Sequence, residues 1–245
     1  MIRVILNGAC GRMGKEVERI IEASEELTLA ARVDTMANES GCYSDINDFA
    51  GDADMIIDFS NHLGTEKLMD YAVRRGLPAV IATTGHTDAE LEYIRTAAKK
   101  IAVFHSANMS LGVALLVELA KKTASVFPDA DIEIVETHHN RKLDAPSGTA
   151  LMLANAIKTV RDRAAFVFGR YGNAKREKNE IGVHAVRRGN IVGIHEVLVS
   201  TDSQTITLKH EAHSRALFAE GAVTAACYII NKPAGIYDMN SIVDD

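Results

Sequence analysis

The sequence predicts a doubly wound α/β domain with a parallel sheet, followed by an α+β domain with an open mixed sheet. Three observations carry this. Short apolar runs alternate with helix-period stretches through the first hundred residues; a glycine loop follows the first run; and after Ser106-Ala107-Asn108 the pattern changes to longer strands in hairpin order.

The apolar runs lie at residues 4–6, 29–33, 55–59, 79–82 and 101–104, and their continuity fits strands covered on both faces. Between them Val17, Ile20 and Ile21, and later Leu68, Met69 and Ala72, recur at helical spacing. Gly76-Leu77-Pro78 supplies a stop, and Thr87 or Asp88 an N-cap. Further on, helices are expected over about 111–124 and 149–160, flanking a strand at 132–135 that continues toward Thr137. Strands follow at 181–186, 191–200 and 204–210, the last two forming a hairpin around Asp202-Ser203. From Ser214 an alanine-rich helix returns to the first domain.

Composition narrows the function classes. With 245 residues, 47 % of them apolar and 24 % charged, the chain can bury a sizeable core in two modest domains. A net charge of −6 argues against broad binding to nucleic acid or anionic membrane. No run approaches the length of a membrane span, and the N-terminus reads as a buried strand rather than a signal peptide. Cys10, Cys42 and Cys227 are scattered, with neither metal-ligand nor redox spacing; they read as bystanders in a reducing cytoplasm.

The loop Gly8-Ala9-Cys10-Gly11-Arg12-Met13-Gly14 opens the first helix. Such glycines let the backbone approach a pyrophosphate, which the free N–H groups of a helix N-terminus stabilise. The spacing is G-x-x-G-x-x-G, so a tight βα turn without a ligand is the competing reading. Asp34, at the end of the second strand, can hydrogen-bond adenosine ribose hydroxyls and should repel a 2′-phosphate. Thr35-Met36-Ala37-Asn38 add no positive charge, although Arg12 and Lys15 could. NADH is favoured, with NADPH still admitted.

The densest chemistry runs from Glu133 to Ala150, leaving a strand, crossing a loop and entering a helix. His138, His139, Arg141 and Lys142 offer cations or proton donors; Ser147, Gly148 and Thr149 offer hydroxyls and N–H groups at a helix start. Together they suit a small dianion that must be held and protonated. A solvated histidine pair and an ordinary helix cap are the bland alternatives. A zinc site from Glu136, His138 and His139 is disfavoured, because adjacent histidines on a strand point to opposite sides. No metal is expected.

The run Glu136-Thr137-His138-His139-Asn140-Arg141-Lys142-Leu143-Asp144-Ala145-Pro146-Ser147-Gly148-Thr149-Ala150 closely resembles the signature of the 4-hydroxy-tetrahydrodipicolinate (dihydrodipicolinate) reductase family. The resemblance extends to the loop 8–14, to Ala82-Thr83-Thr84-Gly85, to Ala107-Asn108-Met109-Ser110 and to Gly235-Ile236-Tyr237-Asp238-Met239, nearly the whole chain. It implies an N-terminal Rossmann domain over residues 1–108 and 216–245, and a substrate-binding and oligomerisation domain over 109–215, with a cleft between them and a homotetramer overall. By the same resemblance the cofactor lies against Gly8, Gly11, Arg12, Met13, Gly14, Asp34, Phe59, Ala82, Thr84, Ala107 and Met109. His138 would donate the proton, Lys142 would assist and hold the substrate beside His139, and Ser147, Gly148 and Thr149 would bind its carboxylate. The implied reaction reduces 4-hydroxy-tetrahydrodipicolinate, a small dicarboxylate, in diaminopimelate and lysine biosynthesis. Three positions depart from the pattern: Ala82 where many members carry glycine, Met109 where phenylalanine is frequent, and Asn61 where some relatives have arginine. These bear on cofactor affinity.

Other readings differ in class. A Rossmann oxidoreductase for another small acid would need a different base, and an NADH-sensing regulator would need no proton donor. Arg215 could touch substrate or the interdomain seam, or be a surface residue. The remaining histidines, at 62, 86, 105, 184, 195, 210 and 213, read as surface or structural. The run 175–180 reads as a solvated loop.

Overall fold

The computed structural model describes residues 1–37 and 41–245, so Asn38 lies outside the described residues. The chain divides into two compact units, Met1–Leu111 with Ala216–Asp245, and Gly112–Arg215.

The first unit begins β1 (Ile2–Asn7), α1 (Arg12–Glu22), β2 (Leu27–Val33), β3 (Cys42–Tyr43), β4 (Met55–Asp58), α2 (Thr65–Arg75), β5 (Ala79–Ile81), α3 (Asp88–Ala98) and β6 (Ala102–His105). The second holds most of α4 (Leu111–Val126), then β7 (Asp131–His138), α5 (Gly148–Lys158), β8 (Ala165–Phe168), β9 (Glu180–Arg187), β10 (Gly193–Ser200) and β11 (Thr205–Ala212). The chain then returns to the first unit through α6 (Ala216–Ile229), β12 (Gly235–Tyr237) and α7 (Met239–Asp244).

The first sheet has the order β12-β6-β5-β4-β1-β2-β3, and all its pairs are parallel. Every residue of β4 and β5 is buried, as the apolar runs Met55-Ile56-Ile57 and Ala79-Val80-Ile81 require of strands covered on both faces. Helix ends follow local chemistry. Thr87 caps α3 in a reciprocal capping box with Glu90, and Gly76 ends α2 at φ +66°, a left-handed position natural to glycine.

The second sheet runs β11-β10-β7-β9-β8, with β9 parallel to β7 and β8, and β10 antiparallel to β7 and β11. One face is covered by α4 and α5, whose Val113, Leu116, Val117, Leu153 and Ile157 pack on Ile132, Ile134, Val197 and Val199. The edge strands β3, β8 and β12 have no counterpart in the sequence reading: each is only two to four residues long, too short for a period to declare itself. Ile191 lies before β10, its carbonyl accepting the His139 N–H. No described helix is long and apolar enough to cross a membrane.

Candidate active site

In the first unit the glycine loop leaves β1 and enters α1 with Gly11 as N-cap, and no side chain accepts from the first turn. That first turn carries no acidic residue of its own, so its N–H groups can take an anion. Close packing dictates the flanking glycines. A Cβ on Gly8, where φ is +82°, would lie 2.5 Å from the Phe59 carbonyl oxygen, and a Cβ on Gly14 would run into the Gly8 carbonyl. Asp34 bridges loop and strand: Oδ2 accepts the Cys10 N–H at 2.9 Å and Oδ1 the Met36 N–H at 2.8 Å. Each oxygen keeps a lone pair for another donor.

Two cavities open on this loop. One of about 500 Å³ is lined by Gly11, Arg12, Met13, Phe59, Ala82, Thr84, Ala107 and Met109, among others. The other, about 640 Å³, reaches from Gly8 and Gly11 past Asp34 to Ile46, Lys67 and Leu68. Gly14 lines neither and serves the turn itself. An apolar-walled pocket, glycines approached by backbone and an acidic strand end fit a nicotinamide dinucleotide. Ala82 and Met109 are buried in the wall of the smaller cavity; Asn61 caps a short 3₁₀ turn by accepting the Leu63 N–H at 3.0 Å. Lys15 lines neither cavity.

Three strand ends beside the smaller cavity are tied by Asp58, which the sequence reading passed over. Its carboxylate, 1 % exposed, accepts from Asn7 Nδ2 at 2.8 Å, Ser60 Oγ at 2.6 Å and Thr83 Oγ1 at 2.7 Å. Burial pushes its pKa up, against these hydrogen bonds. The signal was a lone acid closing an apolar strand.

In the second unit His138 is the last residue of β7, and its Nδ1 lies 2.6 Å from Oε2 of Glu136. Glu136 also receives a bidentate Arg187, at 2.7 Å on each oxygen, and the Ser147 N–H at 3.0 Å. Burial alone would raise this carboxyl, but the bonds from His138, Arg187 and Ser147 hold it down at about 2. His138 stacks edge-on against His195, ring centroids 5.1 Å apart, and His195 Nε2 sits 3.2 Å from Ser147 Oγ. Burial first, then the nearby His138, pushes His195 down to about 4 and keeps it neutral.

Ser147 caps α5, accepting the Ala150 N–H, and a Cβ on Gly148 would meet open space. Thr149 follows in the first turn. Thus Ser147, Arg187 and His138 gather around Glu136, and Gly148 and Thr149 follow Ser147 into α5. Lys142 instead pairs with Asp144 at 2.9 Å, and Arg141 reaches Asn190. Burial pushes the His139 pKa down, and the neighbouring Arg141, Arg215, His138 and Lys142 push it the same way.

Sequence reasoning weighed Glu136 only as a zinc ligand and set His195 aside; Arg187 it missed. Glu136 had a local signal, since residues two apart on a strand share a face. Arg187 and His195 arrive from β9 and β10, too distant in sequence for spacing to show. Two further readings need correction. The run 175–180 is not merely solvated: Arg176 pairs with Asp131 at 2.8 Å and Glu133 at 3.1 Å. Nor are the cysteines all scattered, for Cys10 and Cys42 meet with Sγ atoms 3.9 Å apart.

A parallel α/β unit with this glycine loop, and a second unit with a carboxylate-anchored histidine at a helix N-terminus, define a dinucleotide-dependent oxidoreductase. Residues 2–109 match the family described as dihydrodipicolinate reductase, N-terminus, and 112–243 its C-terminus counterpart. The chain belongs to the dihydrodipicolinate reductase family, nicotinamide-dependent reductases of diaminopimelate and lysine biosynthesis. It is 45 % identical to the 4-hydroxy-tetrahydrodipicolinate reductase of Caldanaerobacter subterraneus subsp. tengcongensis, over 99 % of this chain and 98 % of that one. The Clostridium novyi enzyme of the same name is 42 % identical over the same shares. A dipicolinate-bound dihydrodipicolinate reductase from Paenisporosarcina sp. TG-14 shares the fold, with a TM-score of 0.81 at 24 % identity over 97 % of both chains.

Proposed function

We propose that the chain reduces 4-hydroxy-tetrahydrodipicolinate to tetrahydrodipicolinate, with the proton coming from His138 and NADH favoured over NADPH. The observation that carries the reading is the His138–Glu136–Arg187 assembly beside the start of α5. Bound in the first unit by the loop 8–14 and Asp34, and against Phe59, Ala82, Thr84, Ala107 and Met109, the nicotinamide supplies the hydride.

Glu136 accepts a hydrogen bond from Nδ1–H of His138, which fixes the ring, so that the proton given to substrate is the second one, carried on Nε2 by the imidazolium. Gly193 keeps that nitrogen approachable, since a Cβ there would stand 3.1 Å from it. Ser147, Gly148 and Thr149 receive a substrate carboxylate at the positive end of α5. Lys142 exchanges its Asp144 partner for the substrate, and His139 donates a hydrogen bond beside it. Protonation accompanying hydride delivery spares the product a localised negative charge. Asp34 takes the ribose hydroxyls on its free lone pairs and repels a 2′-phosphate.

The open face of the second sheet, where half-buried Val135, Ile194 and Leu198 sit among charged residues, supports assembly as a homotetramer. Three free thiols accord with a cytoplasmic setting. The deciding experiment follows NADH and NADPH oxidation with substrate generated from pyruvate and aspartate semialdehyde by a synthase, comparing parent and His138→Ala. Turnover lost in the variant supports the reading; NADH binding without turnover in the parent overturns it in favour of a sensor.

A further inference from the structure

We propose that Cys10 and Cys42 are a site of oxidation: a thiol pair that a peroxide converts to an intramolecular disulfide, weakening the dinucleotide site at Asp34. The consequence for the dinucleotide rests on the cofactor reading above; the disulfide itself does not.

The two residues are 32 positions apart, one in the glycine loop and one in the edge strand β3, yet their Sγ atoms lie 3.9 Å apart. A disulfide needs about 2.05 Å, so a shift of about 2 Å joins them. Both are half-buried, within reach of a small oxidant. Asp34 is tied to both sides of the pair. It accepts the Cys10 N–H, and its own N–H donates to the carbonyl of Tyr43, the residue after Cys42, each at 2.9 Å. Drawing the sulfurs together pulls the glycine loop toward β3, and the Cys10–Asp34 hydrogen bond takes that displacement directly. The carboxylate then turns from the orientation in which it meets a ribose.

Burial first, and the hydrogen bond with Cys10 next, push the Cys42 thiol up to about 11, so Cys42 takes the part of the resolving thiol. The Cys10 sulfur displaces hydroxide from the peroxide, giving a sulfenic acid and one water. The Cys42 sulfur then displaces the sulfenic hydroxyl, which leaves with the Cys42 proton as a second water. Peroxide is reduced by two electrons and the pair of thiols is oxidised by two. Cys227, hydrogen-bonded to Glu26 at 3.5 Å, is an internal control.

The test treats the reduced full chain with hydrogen peroxide and reads intact mass, thiols titrated in denaturant, the linked peptide after proteolysis, and NADH affinity. The expected product is lighter by two hydrogen atoms, keeps one titratable thiol of three, and yields a Cys10–Cys42 peptide. Its NADH affinity falls about tenfold, the worth of one hydrogen bond to a charged group, and dithiothreitol restores it. Cys42→Ser forms no linked peptide, and Cys227→Ser behaves as the parent. A parent that keeps all its thiols, gains oxygen mass, or links through Cys227 overturns the proposal, as does a disulfide that leaves NADH affinity unchanged. Should the reduced chain bind no NADH, the cofactor reading and the consequence at Asp34 fail together, while mass and peptide still decide the thiol pair.

Discussion

Glu136 and His138 occupy alternate positions of β7, so their side chains share a face, and Oε2 of one meets Nδ1 of the other at 2.6 Å. That oxygen also accepts Arg187 Nη1, while Oε1 accepts Arg187 Nη2 and the Ser147 N–H. Two bonds per oxygen fill the carboxylate's capacity, which is how a fully buried charge is tolerated. The same four bonds join β7, β9 and the start of α5 around the proposed proton donor.

Glu136→Gln therefore does more than remove a charge. The amide can accept on one atom only, its NH₂ faces donors, and Arg187 loses its counter-ion in a buried setting. The expected loss is about 3–5 kcal/mol of stability, read from the urea midpoint at constant m-value. Turnover should fall more than NADH affinity, because the cofactor cavities lie in the first unit. A variant as stable as the parent would show that Glu136 does not hold this assembly.

Acid sensitivity should come in two adjoining windows. His195 titrates near 4 when folded against an ordinary 6.5, so the unfolded chain takes the proton first. Stability present above pH 6.5 is then lost as pH falls toward 4, by about 3 kcal/mol. Glu136, at about 2 against 4.5, adds a second loss of similar size between pH 4.5 and 2. Melting temperatures measured from pH 8 to pH 3 should decline from about 6.5 downward, and His195→Gln should make the decline in the upper window shallower, with the remainder coming from the other lowered histidines at 86, 105, 139 and 210.

The fold was legible where one element declares itself. Apolar runs marked β1, β2 and β4 to β6, and the hairpin of β10 and β11 followed from a turn between two alternating strands. What escaped is pairwise and distant. Arg187 lies 51 residues from Glu136, and His195 lies 48 from Ser147. No periodicity links them, because sheet register alone brings them together. Cys10 and Cys42 were hidden for the same reason, since β3 is too short to reveal which strand it joins. The segment His138 to Thr149 stood out because chain connectivity by itself delivers a strand end, a loop and a helix start.

The glycine loop gives a prediction that separates packing from ligand contact. At Gly14 a methyl collides with the Gly8 carbonyl and comes within 2.8 Å of Ala9 Cα. Gly14→Ala should push α1 from β1, reduce NADH affinity at least about tenfold, and lower the melting temperature. At Gly11 the nearest atom to a new Cβ is the Gly8 carbonyl oxygen at 3.2 Å. Gly11→Ala should keep the fold and lose mainly cofactor affinity, as a methyl there enters both cavities. Calorimetry paired with NADH titration distinguishes the two.

Ser147 and His138 should fail in different ways. Ser147→Ala removes the acceptor for the Ala150 N–H and the hydroxyl partner of His195, but keeps the backbone N–H that reaches Glu136. The cap is worth about 1 kcal/mol, and the lost hydroxyl weakens the grip on a carboxylate, so KM for the diacid should rise with kcat much less affected. His138→Gln leaves α5 and its cap in place while deleting the group that gives the proton. Its kcat should fall by about 10²–10⁴, with NADH affinity near that of the parent. Steady-state kinetics of both variants against varied diacid, beside NADH titrations, read this contrast directly. Equal losses of kcat and NADH affinity in His138→Gln would remove the histidine from the chemical step.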